Sequence, residues 1–151
     1  MFKYRKLVPG VITLSISLLF FSSFTPVESN ISSDVLKYTN DYRKSKGLPA
    51  LTMKTDLNAL AQKHSENMAK GKTAFGHSGY DQRASKVKKM YNTCDVAENV
   101  AYGASNAKEA VTLWKNSSGH RKNMLGKYKY VGIGTAKNSR GILYYTVLYV
   151  N

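Results

Sequence analysis

The run Ile142 to Val150 is apolar or aromatic at every position except Thr146. A strand with one wet face alternates apolar and polar residues, so a run without alternation has both faces covered. A sheet with helices packed on both sides follows, and the rest of the chain must supply those helices. Val35, Tyr38 and Tyr42 recur at helical spacing through Ser45, with Ser33 placed as N-cap. Gly47 and Pro49 stop that helix and open an extended connection. Thr55 is placed to cap a second helix with the stripe Leu57, Leu60, Ala61, His64 and Met68, ending at Gly71. His64 on that stripe reads as a hydrogen-bonded packing residue.

The remaining elements follow from the same periodicities. Thr73 to Tyr80 is a loop by its glycines, and Asp81 is placed to cap a basic helix with Ala84, Val87 and Met90 on one side and Lys86, Lys88 and Lys89 in solvent. Asn92 to Asp95 is a turn, and Val96 to Tyr102 has the branched and aromatic content of a strand. Asn106 with Glu109 forms a capping box for a helix that buries Val111 and Trp114, which makes Glu109 a capping residue. Ser117 or Ser118 starts a short helix through Leu125. Two strands close the chain, Tyr130 to Ala136 and Ile142 to Val150, joined by a turn with Asn138 and Gly141.

Residues 1–29 read as a targeting segment. Lys3, Arg5 and Lys6 form a basic start, Leu7 to Phe24 is charge-free and mostly apolar, and Val27-Glu28-Ser29 offers small residues for cleavage. An uncleaved membrane anchor is the alternative, since the run is close to the ~18 residues at which a spanning helix forms. No cysteine follows it, so a lipoprotein anchor has no support. Residues 30–33 are expected to be a short linker and 34–151 one domain. The 151-residue chain carries 23 Lys and Arg against 9 Asp and Glu, a net charge of +14. Without residues 1–29 the balance is 20 to 8, still near +12. Such a charge attracts anionic cell-wall polymer or a membrane lipid surface, weakened by salt. The lysines are dispersed and no nucleic-acid motif is present, so no specific nucleic-acid partner is expected. Cys94 is the single cysteine, so no intramolecular disulfide forms, and a monomer is expected unless Cys94 bridges two copies.

Three segments carry the titratable side chains suited to chemistry near neutral pH: Gly76-His77-Ser78, Ala97-Glu98-Asn99 and Ser118-Gly119-His120-Arg121-Lys122-Asn123. Separations of 21 and 22 residues between His77, Glu98 and His120 exclude a single helix face. Any shared site is assembled by the fold.

The series GHSGY, AENVAYG, WKNSSGHRKNML, VGIG and YYTV resembles the bacterial branch of the CAP superfamily, also called SCP or PR-1-like, from about Asp34 to Val150. The resemblance implies an α+β fold, a three-layer α-β-α sandwich with a small antiparallel sheet, and a cleft around a histidine and a glutamate. It implies that His77 and Glu98 are cleft residues. Where the family has a second acid and a second histidine, this chain has Ser117 and Tyr144, and the bacterial branch brings His120 in their place. The resemblance does not imply one activity.

Three readings of such a cleft stay open. Taken as metal ligands, His77, His120 and Glu98 are two nitrogens and one oxygen for Zn2+ or another divalent cation, with an open position for water. A hydrolase or protease would pair Ser117, Ser118 or Cys94 with His77 or His120, Glu98 orienting the imidazole. A binding module needs only a preformed cleft with a few polar anchors among aromatics, with Arg121 and Lys122 available to an anion. The reading adopted is an exported, envelope-associated or extracellular binding module, with metal-assisted hydrolysis as the alternative. Asn123 is expected to be structural.

Overall fold

The computed structural model describes residues 30–151; the leader expected over residues 1–29 lies outside them. In chain order the elements are α1 (Ile31–Ser45), β1 (Thr52–Met53), α2 (Thr55–Ala69), α3 (Tyr80–Tyr91), β2 (Val96–Tyr102), α4 (Ala107–Asn116), α5 (Ser118–Met124), β3 (Tyr130–Lys137) and β4 (Leu143–Val150). The sheet order is β1-β3-β4-β2, with β4 central and antiparallel to both β3 and β2. As its composition requires, β4 is covered on both faces. Tyr145, Val147 and Tyr149 pack with Val35 of α1, Val111 and Trp114 of α4, and Met124 of α5. Leu148 and Val150 pack with Leu57 and Ala61 of α2 and Val87 of α3. The three-layer sandwich is therefore α1, α4 and α5 on one side and α2 and α3 on the other.

Local boundaries differ from the sequence reading where a nearby group competes. Residues 31–33 are the first turn of α1 and not a linker, because Asn30 takes the cap that Ser33 was assigned: its Oδ1 accepts from the Ser32 N–H at 3.1 Å. Thr55 is the first residue of α2, following an extended Lys54 without a side-chain cap. Asp81 lies inside the first turn of α3, which begins after Gly79 at φ 73°, a left-handed conformation glycine adopts without strain. Met90 is 43% exposed and does not join Ala84 and Val87. The sheet is mixed and not purely antiparallel, since Thr52 and Met53 run parallel to Tyr130 and Val131. Two residues are too short to leave a periodic signal.

Both sheet edges are closed by side chains. Beyond the short β1, Asn58 Oδ1 accepts from the Ile133 N–H at 2.9 Å, and the Gln62 amide exchanges bonds with the N–H and carbonyl of Thr135, both at 3.0 Å. On the β2 edge the carbonyls of Val96, Glu98 and Val100 accept from Tyr80 Oη (2.7 Å), Asn123 Nδ2 (3.2 Å) and Trp114 Nε1 (3.0 Å). Unpaired edges invite association with other chains, and these bonds remove part of that template.

The close seating of α2 on β3 depends on two glycines. A Cβ at Gly132 would stand 2.3 Å from the Leu57 carbonyl carbon, and one at Gly134 would stand 2.1 Å from the Gln62 nitrogen. Both obstacles are backbone, which cannot rotate away. Gly134→Ala is expected to cost about 3 kcal/mol in urea unfolding through overpacking. Gly119→Ala, with nothing within 4 Å of its added methyl, should stay within about 1 kcal/mol of the parent.

Candidate functional site

Glu98 and Asn99 are consecutive on β2 and point to opposite faces, as strand geometry demands. Glu98 shares a face with its cross-strand partner Leu148, on the α2 and α3 side. Its side chain is 1% exposed, and a carboxylate so placed needs compensation. Arg83 of α3 supplies it as a planar fork: Nε donates to Oε2 and Nη2 to Oε1, each at 2.8 Å. The Arg83 Nη1 donates to the Ser78 carbonyl at 2.8 Å, which ties the same guanidinium to the histidine loop.

His77 completes the cluster. Its Nδ1 lies 2.9 Å from Glu98 Oε1. The carboxylate accepts, so in the neutral ring Nδ1 carries the proton and Nε2 keeps its lone pair for the half-exposed side of the ring. The loop holding His77 is set by Gly76 at φ 132° and by His64, whose Nε2–H donates to the Gly76 carbonyl at 2.8 Å. Buried His64 is thus the packing residue that its position on the α2 stripe implied. Burial lowers its pKa from the usual 6.5, opposed by the bond to Gly76.

Asn99 uses the other face to dock α5. Its Nδ2 donates to the His120 carbonyl at 3.1 Å, and its Oδ1 accepts from Asn123 Nδ2 at 2.9 Å. Asn123 is therefore structural, as expected. This docking brings α5 to the mouth of an open cleft of about 580 Å³ lined by His77, Tyr80, Glu98, Lys122, Asn123 and Tyr128, among others. The Tyr80 and Tyr128 phenols are raised in pKa, chiefly by burial, and stay protonated at neutral pH.

The other expected site residues sit around this cleft or beyond it. His120 on α5 stays within reach of the His77 charge: its pKa is lowered by burial first and then by that charge. Ser117 is the N-cap position of α5 and makes no side-chain cap bond. Tyr144, toward the far end of β4, stacks on Tyr102 with centroids 5.8 Å apart. Arg121 bonds the Lys115 carbonyl at the end of α4 at 2.7 Å, while Lys122 reaches the cleft. Cys94 is exposed in the turn before β2.

The metal expectation does not fit this geometry. Among the described residues, no group of three or more His, Cys, Asp or Glu side chains is placed to hold an ion. Both Glu98 oxygens already accept from a guanidinium and Oε1 also faces His77 Nδ1, so a divalent cation there would sit against the charge of Arg83. Arg83 is the site residue that sequence reasoning missed. Its signal was a position three residues after Tyr80, on the same side of α3 as Ala84 and Val87, where a solvated charge does not belong.

The chain belongs to the cysteine-rich secretory protein (CAP) family, whose family model matches residues 36–150. It is 33% identical over 119 residues to the YkwD protein of Bacillus subtilis, an alignment covering 73% of this chain and 45% of that one. Among solved structures it is similar to a cysteine-rich secretory protein from Staphylococcus aureus (28% identity, TM-score 0.64, 82% of this chain and 40% of that chain). It is also similar to an extracellular protein containing an SCP domain from Bacillus anthracis (26% identity, TM-score 0.63, 80% and 40%). The matched part spans less than half the length of each of these relatives. Among the described residues no helix is long and apolar enough to cross a membrane.

Arg83→Met should cost about 3 kcal/mol in chemical unfolding, because it strands a buried carboxylate. The double variant Arg83→Met, Glu98→Leu should recover much of that loss. His64 sets a pH signature. Its folded-state pKa is depressed, so the folded state binds fewer protons than the unfolded one; the associated stability is complete above about pH 6.5 and declines as pH falls toward the folded value. His64→Gln should flatten that decline in a series of melting curves, leaving the contribution of His120, whose pKa is also lowered by burial.

Proposed function

We propose that the protein is an exported binding module that holds an anionic group of a cell-envelope polymer in the cleft beside His77. The carrying observation is the state of the buried acid. Glu98 is matched by Arg83 and His77, which leaves Lys122 and the outer side of the imidazole ring to meet a ligand. A phosphate or carboxylate suits the Lys122 ammonium, a hydroxyl of the same ligand can donate to the Nε2 lone pair, and the tyrosine rings lining the cleft give it an apolar wall. The basic composition supports attraction to such a polymer over a longer range. Export is supported by the leader-like pattern of residues 1–29 and by the extracellular Bacillus anthracis relative.

Hydrolysis is a second reading, favoured by the His77–Glu98 pair, which holds Nε2 free to take a proton. It lacks a nucleophile: among the described residues, neither Ser117, Ser118 nor Cys94 is hydrogen-bonded to an imidazole.

The test is co-sedimentation of the purified protein with isolated cell walls, before and after chemical stripping of their anionic polymer. Retention should need the polymer and fall steeply from about 0.05 to about 0.5 M salt. His77→Ala and Lys122→Gln should each weaken it roughly fivefold. Salt-independent retention, or retention on stripped walls, would remove the reading. Phosphatidylglycerol vesicles in parallel test a lipid source of the same charge, and preference for them would move the assignment to a membrane surface.

A further inference from the structure

We infer that Phe75, Tyr102 and Tyr144 form a saccharide-binding platform beside the His77 cleft. Phe75 and Tyr102 are 47% and 53% exposed, and their ring centroids lie 4.6 Å apart. Tyr144 continues the row, stacked on Tyr102 at 5.8 Å with an interplanar angle of 25°. Among the described residues the other exposed large apolar side chains, Met90 and Leu113, lie on α3 and α4, away from this row. A row of three adjacent rings, two exposed and the third half-buried, is an unusual use of apolar surface.

The chemistry of the rings selects the ligand. Two of the three carry a phenolic hydroxyl, so the row combines apolar ring faces with a polar rim. A pyranose has the same division, with C–H groups on its faces and hydroxyls around its edge. An acyl chain would leave those phenols without partners.

Position argues for a chain of sugars over a single one. Tyr102 and Glu98 sit on the same strand and the same face, four residues apart, which separates their Cα atoms by about 13 Å. Phe75 and His77 belong to one loop. A linear glycan lying on the platform therefore extends to the cleft. Lys72 lies three residues before Phe75, and Lys137 follows Ala136, the cross-strand partner of Tyr144. This charge suits a glycan that bears anionic groups. The inference rests on the envelope-polymer reading for its biological ligand, while the ring contacts are testable without it.

The experiment is calorimetric and NMR titration of the protein with the neutral N-acetylglucosamine hexamer. Binding should be insensitive to salt, and Phe75→Ala and Tyr102→Ala should each weaken it roughly three- to tenfold. Tyr102→Phe should retain most of the affinity, and Leu113→Ala, which removes an exposed side chain from the opposite layer, should change nothing. Melting curves check that the exposed-ring variants remain folded. No binding by the parent protein, or equal binding by the ring variants, overturns the platform while leaving salt-dependent wall retention to stand or fall separately. Tighter, ring-dependent binding of oligothymidylate would also overturn it, by making the row a nucleobase stack.

Discussion

A buried guanidinium with no acidic partner among the described residues ties two separate connections of this domain together. Arg43, at the end of α1, is 1% exposed, and burial pushes its pKa down from the usual value. A lone charge in such a place is costly unless its donors are satisfied. Arg43 donates to the carbonyls of Pro49 (2.9 Å), Met124 (2.8 Å), Gly126 (2.8 Å) and Tyr128 (3.4 Å). The planar fork reaches two separate connections at once, which the compact ammonium of a lysine does not reproduce. One connection leads from α1 to β1, and the other leads from α5 to β3 and carries Tyr128. The wall of the cleft is therefore fixed from a helix that does not itself line it.

The chemistry of the cleft follows from how its acid is paired. In CAP-like clefts a glutamate beside a histidine invites a metal or catalytic reading, but the role of a carboxylate depends on what else touches it. Here Arg83 occupies both oxygens, so Glu98 serves as an anchor that orients His77 and locks α3 against β2. The imidazole gains a fixed tautomer while the charge of the carboxylate is largely cancelled. This arrangement is the basis of the proposed binding reading, because it prepares polar groups at a set place without activating a nucleophile.

What could be read from the sequence divides along the range of the interactions involved. The unbroken apolar run of β4, the bounds of β2 and the Asn106 cap of α4 are local patterns, and each appears where the chain places it. His77 and Glu98 were found because their motifs are also local. Arg83 was not, since its meaning comes from a carboxylate fifteen residues on, across a turn. The same holds for Gly132 and Gly134, whose lack of a side chain matters only because α2 lies against them. His120, Ser117 and Tyr144 were grouped with the cleft by motif; α5 offers its His120 carbonyl to Asn99 while the His120 ring stays within reach of the His77 charge, and β4 carries Tyr144 four residues from the cross-strand partner of Glu98.

The position of the cleft has a physical origin in the edge of the sheet. β2 is an edge strand, and its outward carbonyls must be paired or hydrated. Tyr80, Asn123 and Trp114 pair three of them, drawn from α3, α5 and α4. Two of these residues, Tyr80 and Asn123, also line the cleft. Sealing the strand thus places α3 and α5 on either side of it, with a gap between them over Glu98. A binding cleft in this fold is the space left when an edge is closed by side chains rather than by another strand. Its floor is backbone already committed to hydrogen bonds, so in the proposed binding reading recognition falls to the groups that rise from it: the His77 ring, Lys122 and the tyrosines.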